Sequence, residues 1–541
     1  MNGSSETATR LKSIAKYLLC LVAGASLSLA FPRGSQLDAA WFGLVPLLIL
    51  LRFSKPREGF RYGFIFGLAF WMCSISWLME LRNNEGPVLL VAFGLLGLSV
   101  WCSLFLGLFG LVTSFLWQGG DAPTGGWRRN WFEAWRPLAV ALLWCGAEYL
   151  RSTVFSGFAW NALGVSQATM LSIIQISSVG GVYAVSFVIV LLNGGVAGSA
   201  VRIWRNVRRL PDITKRHFDL MIALSVVLTV FVWGGYRVKA MRAAELRAKQ
   251  VSIAAVNPDL PCIFVSNDEE WRRGYRTLSD HTKTAAMFKP DLIVWPETVL
   301  YDNMPNEILE ADVLGFAEQI GAPILAGGTE LRKTASGEEL VYNSSFLFTT
   351  NNTIGGTYRK QHLVPFGEFV PFDKTLKILQ KLAPAGVSCT PGSGPVVLDF
   401  AGVGVKASPL ICFEDTVSDL SRAAVKAGAQ LLIAQSNDAW FYGSSEAKQH
   451  HAQAVFRAVE NGVSMVRCSN RGVTAVVTAY GLSTDDASGG FFSQQVAVPT
   501  SGGGTIYTKV GDWIFGIPCA LLFGGFLVVM GKKRWSDERS N

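Results

Sequence analysis

The stretch VGVKASPLICFED, residues 403–415, ends an apolar run in Cys412 and puts Glu414 and Asp415 within three positions of the thiol. A run that is apolar without alternation suits a strand buried on both faces. Comparable runs surround it: VSIAAVN (251–257), DLIVW (291–295), PILAGG (323–328), SSFLFTT (344–350), LLIAQSN (431–437) and SMVRCSN (464–470). Helix-length stretches alternate with them, at about 268–288, 305–320, 416–428 and 446–461. Strands interleaved with helices predict a layered α/β domain, here 239–510. SGGGT (501–505) reads as a flexible joint into the last apolar run of the chain.

Outside that domain the composition changes. The 541 residues are 50% hydrophobic and 16% charged, and the mean hydropathy is +0.31. A globular chain carries about a quarter charged residues. The apolar excess is concentrated in long runs from Tyr17 to Tyr236 and in WIFGIPCALLFGGFLVVM before the tail GKKRW. Candidate membrane helices are 14–32, 38–53, 60–80, 87–117, 137–153, 171–200, 219–237 and 512–531, the second and fifth being short. By the length a bilayer demands this makes about eight spans. Residues 1–238 are thus read as an N-terminal membrane segment and 511–541 as a last span with its tail. The first run has a basic start (Arg10, Lys12, Lys16) but leads into further spans, so it is read as an anchor and not a cleaved leader.

A net charge of +8 raises the question of a nucleic-acid partner, and the placement of the charge excludes it. Lys and Arg gather in alternate short loops: Arg52 to Arg61, Arg128 to Arg136, Arg202 to Arg216, and the two ends. That alternation predicts cytoplasmic termini, with domain 239–510 on the opposite face of the membrane.

Of nine cysteines, Cys20, Cys73, Cys102, Cys145 and Cys519 fall in candidate spans, and Cys262, Cys389, Cys412 and Cys468 in the α/β domain. An oxidising compartment would allow a Cys262–Cys389 disulfide, which spacing alone does not fix. No CxxC or His-rich spacing points to a metal.

Three reactive side chains sit where strands end. Glu297 follows DLIVWP, whose proline stops the ladder and turns the chain. Lys360 joins a strand to a long aromatic loop, and Cys412 follows ASPLI. Sites in layered α/β domains form at the carboxyl ends of strands. Taken singly each residue is ordinary: a free Cys is most often core, a Glu after a strand solvated, a Lys a surface charge. Together they suit acyl transfer. A carboxylate activates the thiol, a lysine holds the anion of a tetrahedral intermediate with the amide after the nucleophile, and the product is a thioester.

The contexts LIVWPET, YRKQHLVPFGEFVPF and PLICFED resemble the three catalytic blocks of the nitrilase superfamily. Joined to SNDAWF and to an eight-span segment containing LAFPRG, GFIFGLAFWMCSISWL and FSGFAWNALGVSQ, they resemble the bacterial apolipoprotein N-acyltransferase family from about Ala30 to the last span. The resemblance implies an αββα nitrilase-like sandwich on a polytopic helical membrane domain. It implies Glu297 as general base, Lys360 as oxyanion-stabilising cation and Cys412 as nucleophile, with Glu368, Phe413, Glu414 and Trp440 as supporting or substrate-binding residues. The family commonly has Tyr where this chain has Phe413, and Gly where it has Tyr442.

The implied reaction is ping-pong. An acyl chain leaves the sn-1 position of a phospholipid such as phosphatidylethanolamine, rests on Cys412 as a thioester, and passes to the N-terminal amine of a diacylglyceryl-cysteine apolipoprotein. Neither metal nor soluble cofactor is required. The expected setting is a monomer in the bacterial inner membrane with the catalytic domain on the periplasmic side. Lipid substrates give the membrane half its reason, since each buried methylene extracted costs about 0.8 kcal/mol. The loop HLVPFGEFVPFDKTL, with Leu363, Val364, Phe366, Phe369 and Phe372, is expected to dip into the interface or to lid the site. Two alternatives stand beside this reading: an amidase acting on small C–N substrates, which needs no lipid-facing spans, and a transporter or scaffold with a dead domain. Phospholipase activity with water as acceptor is a third outcome.

Overall fold

The computed structural model describes residues 2–540 apart from 33, 85, 119–125, 211–215, 262–267, 305–306, 371–387, 401, 403, 487–488 and 500–502. The chain divides into two compact units, Met1–Arg237 with Val510–Asn541, and Val238–Lys509.

Among the described residues, six helices are long and apolar enough to cross a membrane: Arg10–Ala30, Val88–Trp117, Glu133–Ser156, Ser177–Val207, Phe218–Glu245 and Ile506–Lys532. A seventh crossing results if Pro56–Ser74 and Ser76–Asn84, bent by 42°, are one span. The eight candidates thus become six or seven, and the difference falls on 38–53. That run forms two short helices, Asp38–Phe42 and Val45–Arg52. Pro46, in the first turn of the second, has no N–H to carry a helix through. Asn193 fills the break: its Oδ1 accepts from the Leu44 N–H at 3.0 Å and its Nδ2 donates to the Ala40 carbonyl at 3.0 Å. The fifth candidate, short by sequence, lies inside a 28-residue helix, Gly126–Thr153. Buried Glu148 accepts the Leu163 N–H at 2.7 Å, and Arg151 donates to the Trp160 carbonyl at 2.9 Å. These two charges hold the non-helical backbone after the helix. They do not form the file of ionisable groups that a transport path requires.

The second unit carries two mixed sheets. The first is built from β1 (Lys249–Asn257), β2 (Leu292–Val294), β3 (Leu300–Met304), β4 (Ile324–Lys333), β5 (Glu339–Phe348), β6 (Ile354–Arg359) and, far along the chain, β13 (Gly490–Val498). Their order is β13-β1-β2-β4-β5-β6, with β3 beside β4. The second holds β7 (Leu398–Asp399), β8 (Lys406–Ile411), β9 (Leu431–Asn437), β10 (Ser464–Asn470), β11 (Thr474–Val477) and β12 (Ser483–Asp486), in the order β12-β11-β10-β9-β8-β7.

The apolar runs are explained by burial on both faces. On β1, Ile253 and Ala255 point into a core shared with Leu431, Ile433, Val466 and Cys468 of the other sheet. Ala254 and Val256 point the other way, against Leu278, Ala285, Leu309 and Val313 of the helices Asp268–Ala286 and Glu307–Ile320. The helices Ser418–Lys426 and Glu446–Asn461 pack on the second sheet. The result is the four-layer αββα arrangement of the nitrilase fold. Strands β8, β9 and β10 run parallel, with Ile411 opposite Gln435 and Asn437 opposite Asn470. Their carboxyl ends therefore share one edge, where functional residues collect in such sheets. Cys389 carries a free thiol, and Cys262 lies outside the described residues.

Candidate active site

Cys412 is the first residue after β8 and opens a short 3₁₀ turn, Cys412–Thr416. Its φ is +52°, a left-handed conformation that non-glycine residues seldom adopt. Such strain persists only where surrounding contacts over-determine it, and it clusters at functional sites. Here the clamp is Glu414. Its Oε2 accepts from the Ile411 N–H at 2.7 Å and the Tyr358 hydroxyl at 2.7 Å. Its Oε1 accepts from the N–H groups of Gln361 at 2.6 Å and His362 at 3.0 Å. One buried carboxylate thus ties the Cys412 turn to the segment just after Lys360. Glu414→Ala is expected to lower stability by about 3 kcal/mol, the scale of a buried network losing a charged acceptor. A drop in the thermal unfolding midpoint in detergent checks it.

Glu297 sits beyond β2, in the turn Pro296 begins. Gly327 on β4 lets that turn lie close, since a Cβ there would be 2.7 Å from the Glu297 Cα. The buried carboxylate accepts from Asn343 Nδ2 at 2.8 Å and from the Asn437 N–H, at the end of β9, at 3.0 Å. Its charge also acts on the Cys412 thiol. Lys360 follows β6 and is 1% exposed. Its Nζ lies 2.8 Å from Glu368 Oε1 and 3.5 Å from Glu297 Oε1. Glu368 accepts further from Asn343 Nδ2 at 2.9 Å and from the Val364 N–H at 2.9 Å. Glu297, Lys360, Glu368 and Cys412 thus meet in one constellation built from both sheets.

Burial raises the Glu297 carboxyl above the usual range against the pull of Lys360, and Glu368 adds to the rise. Burial opposes the charge on Lys360, but Glu368, Glu297 and Cys412 outweigh it and hold the ammonium well above its ordinary value. Burial, then Glu297, pushes the Cys412 thiol well up, against Lys360. These shifts favour a protonated thiol at Cys412 and a charged Lys360 beside Glu297.

The other expected residues lie around this constellation. Phe413 stacks on His362 at 5.8 Å between ring centroids. Trp440 is half-buried in the turn Asp438–Phe441 after β9. Tyr442, exposed, lies under the Arg471 guanidinium at 4.6 Å. In the aromatic loop, Leu363 and Val370 turn inward while Phe366 is exposed with φ +63°; Phe372 lies outside the described residues.

Sequence reasoning does not single out Asn343, yet its Nδ2 bridges Glu297 and Glu368 and its carbonyl accepts the Lys360 N–H at 2.9 Å. Both carboxylates accept, so the amide orientation is set by the network. A polar residue inside the run VYNSSF was the available signal. Sequence reasoning does not single out His450 either, yet it stands in a buried charged cluster with Asp415, Asp438, Glu446 and Arg467. Asp438, Glu446 and His450 offer ligand atoms within 4.8 Å of one another. Arg467 already lies against Asp438 at 3.0 Å and His450 Nδ1 at 2.8 Å, so a guanidinium supplies the positive charge among them.

Both parts of the chain are similar to known families. The model for the apolipoprotein N-acyltransferase N-terminal domain matches residues 23–195, and that for carbon-nitrogen hydrolase matches 252–487. A curated relative from Geobacter metallireducens, named apolipoprotein N-acyltransferase, is 33% identical over 472 residues, 86% of this chain and 85% of the relative. Apolipoprotein N-acyltransferase 1 of Treponema denticola is 26% identical over 544 residues, 93% of this chain and 94% of its own length. The crystal structure of Saccharomyces cerevisiae Nit3, a member of branch 10 of the nitrilase superfamily, covers 46% of this chain and 90% of its own, at 18% identity and a TM-score of 0.36.

Proposed function

The chain belongs to the apolipoprotein N-acyltransferase family, an acyltransferase of lipoprotein maturation, and from that premise we propose that Cys412, Glu297 and Lys360 carry the reaction. The observation that supports this is the convergence of thiol, carboxylate and ammonium at the ends of β8, β2 and β6.

In the first half-reaction the Cys412 sulfur attacks the carbonyl carbon of a phospholipid sn-1 ester while its proton passes to Glu297. The tetrahedral oxyanion is held by the Lys360 ammonium and the Phe413 N–H. The C–O bond then breaks, the leaving alkoxide takes the proton from Glu297, and a lysophospholipid departs from a thioacyl enzyme. In the second, the α-amine of a diacylglyceryl-cysteine attacks the thioester and yields its proton to Glu297. The C–S bond breaks, the thiolate recovers that proton, and an amide-linked acyl chain results. Glu368 and Asn343 fix the positions of Lys360 and Glu297, and Glu414 fixes the turn that carries the thiol. The donor is a phosphatidylethanolamine-like lipid, the acceptor a diacylated apolipoprotein. The catalytic unit lies on the periplasmic side of the inner membrane, a placement that the charge alternation of the loops supports.

Intact-protein mass after incubation with phosphatidylethanolamine and no acceptor tests the proposal. One added acyl mass, removed by hydroxylamine and discharged by a diacylated lipopeptide, is the expected result. An enzyme that neither gains mass nor transfers labelled acyl chains, but hydrolyses small amides, would overturn it in favour of the amidase reading.

A further inference from the structure

We infer that His450 is a positioning residue of the oxyanion hole, acting through the carbonyl oxygen of Cys412; this rests on the oxyanion role given above to the Phe413 N–H. His450 lies on the helix Glu446–Asn461, behind the nucleophile turn, and is 2% exposed. Its Nε2 stands 3.3 Å from the Cys412 carbonyl oxygen, in hydrogen-bond geometry, and 2.8 Å from Asp415 Oδ1. The other ring nitrogen, Nδ1, lies 2.8 Å from Arg467 Nη2. In the neutral ring the guanidinium, which only donates, takes Nδ1 as acceptor and leaves the proton on Nε2; in the charged ring Asp438 Oδ1, 3.3 Å from Nδ1, accepts the second proton. Protonation of the ring would leave that Nε2–H in place, so the donor to Cys412 exists in either charge state.

The consequence lies in the geometry of one peptide unit. The Cys412 carbonyl and the Phe413 N–H belong to the same plane, and in a trans peptide they point in opposite directions. Gripping the oxygen from the helix side aims the N–H to the other side of the turn. The φ of +52° marks the turn as one that persists only where surrounding contacts hold it, and the contact of His450 with this peptide is one of them. The grip is itself anchored. Arg467, on β10, donates to both oxygens of Asp438, at 3.0 and 3.3 Å, and lies 3.4 Å from Asp415 Oδ2. Glu446 Oε1 lies 3.4 Å from His450 Nδ1. Every charged group facing the imidazole thus comes from a different element: the nucleophile turn, the turn after β9, the helix itself and β10. Such a ring, buried and mutually bonded, fixes a side chain more rigidly than packing alone.

Two polar substitutions separate this role from a merely structural one. His450→Gln carries an amide donor to about the place of Nε2; His450→Asn keeps a polar group near Nδ1 but does not reach the Cys412 carbonyl. Two rates are compared: thioester formation from phosphatidylethanolamine, which develops an oxyanion, and alkylation of Cys412 by iodoacetamide, which does not. Removing an oxyanion donor costs on the order of 10²–10³ in rate, and misdirecting one costs part of that. His450→Asn is expected to acylate about 10–100-fold more slowly, with an alkylation rate within about twofold of the parent. His450→Gln is expected to recover most of the acylation rate. Acylation of His450→Asn at the parental rate would overturn the inference. So would a parallel loss of both rates or loss of the fold, either of which assigns the residue to the thiol or to stability. A parent protein that forms no thioester at all removes the underlying reading instead, and is told apart by its own control.

Discussion

Cys412→Ala forms no hydroxylamine-labile adduct with phosphatidylethanolamine and transfers no acyl chain to a diacylated lipopeptide: that is the expected result, a loss on the order of 10⁴–10⁶ in turnover, as for removal of a covalent nucleophile. The substitution is small enough to leave the fold in place. Alanine meets the φ of +52° at the same cost as cysteine, and Glu414 still binds the Ile411 N–H and the segment beyond Lys360. Two other thiols serve as internal controls. Cys389, half-buried and free, has its N–H bonded to the Glu368 carbonyl at 2.7 Å, so it lies beside the site without entering the network. Cys468 is buried in the core between the sheets, its sulfur 3.3 Å from the carbonyls of Val256 and Val294. Cys389→Ala and Cys468→Ala keep the adduct. Retention of a labile acyl group in Cys412→Ala, or its loss in Cys389→Ala, would move the nucleophile elsewhere.

Those thiols show how far the sequence was legible. PLIC and MVRC both carry a cysteine at the end of a strand-like stretch, the second with Arg467 inside it, and strand periodicity does not separate the two thiols. The difference is positional: Cys468 is inside β10 and faces the opposite sheet, whereas Cys412 stands one residue past β8 in a left-handed turn. The alternation of strands and helices was readable because each run is local. So was the candidate triad, because its resemblance is carried by local blocks. What escaped is held over long chain separations. The break in 38–53, opened at Pro46, is held by Asn193, some 150 positions later in the sequence. Asn343 matters because two carboxylates, from the turn after β2 and the loop after β6, converge on its amide. His450 reads as a helix residue beside a second histidine until Arg467 and the Cys412 carbonyl are brought against it. His451, its neighbour, does pack, with Nε2 2.9 Å from the Ser483 hydroxyl.

The electrostatics of the triad lead to the second large effect. A nucleophile whose pKa is depressed attacks by itself; one whose pKa is raised depends on its base. Burial and Glu297 both raise the Cys412 thiol, so at neutral pH almost none of it is thiolate, and the proton must be received during attack. Glu297 is suited to receive it because burial lifts its carboxyl toward the operating pH. These two shifts set the sign of the pH dependence. In the parent enzyme acylation requires ionised Glu297, so the rate rises through the elevated carboxyl pKa and then levels. Glu297→Gln removes the base and one of the causes that raise the thiol, while burial, the larger cause, remains. Acylation should fall by about 10²–10⁴ at neutral pH. The residual rate should climb with pH without levelling in the accessible range, because it tracks the small thiolate fraction of a still-elevated thiol. Gln keeps one acceptor oxygen, for either Asn343 Nδ2 or the Asn437 N–H, which bond different oxygens of the carboxylate; Lys360 remains held by Glu368, and an unfolding midpoint measured beside the assay accounts for the lost bond. Stopped acylation assays across pH 5–9, a window of roughly two units on each side of neutrality, separate the cases. A Glu297→Gln rate that levels in parallel with the parent would mean that another group takes the proton, and Glu368, bonded to the same Asn343 and to Lys360, would be the group to replace next.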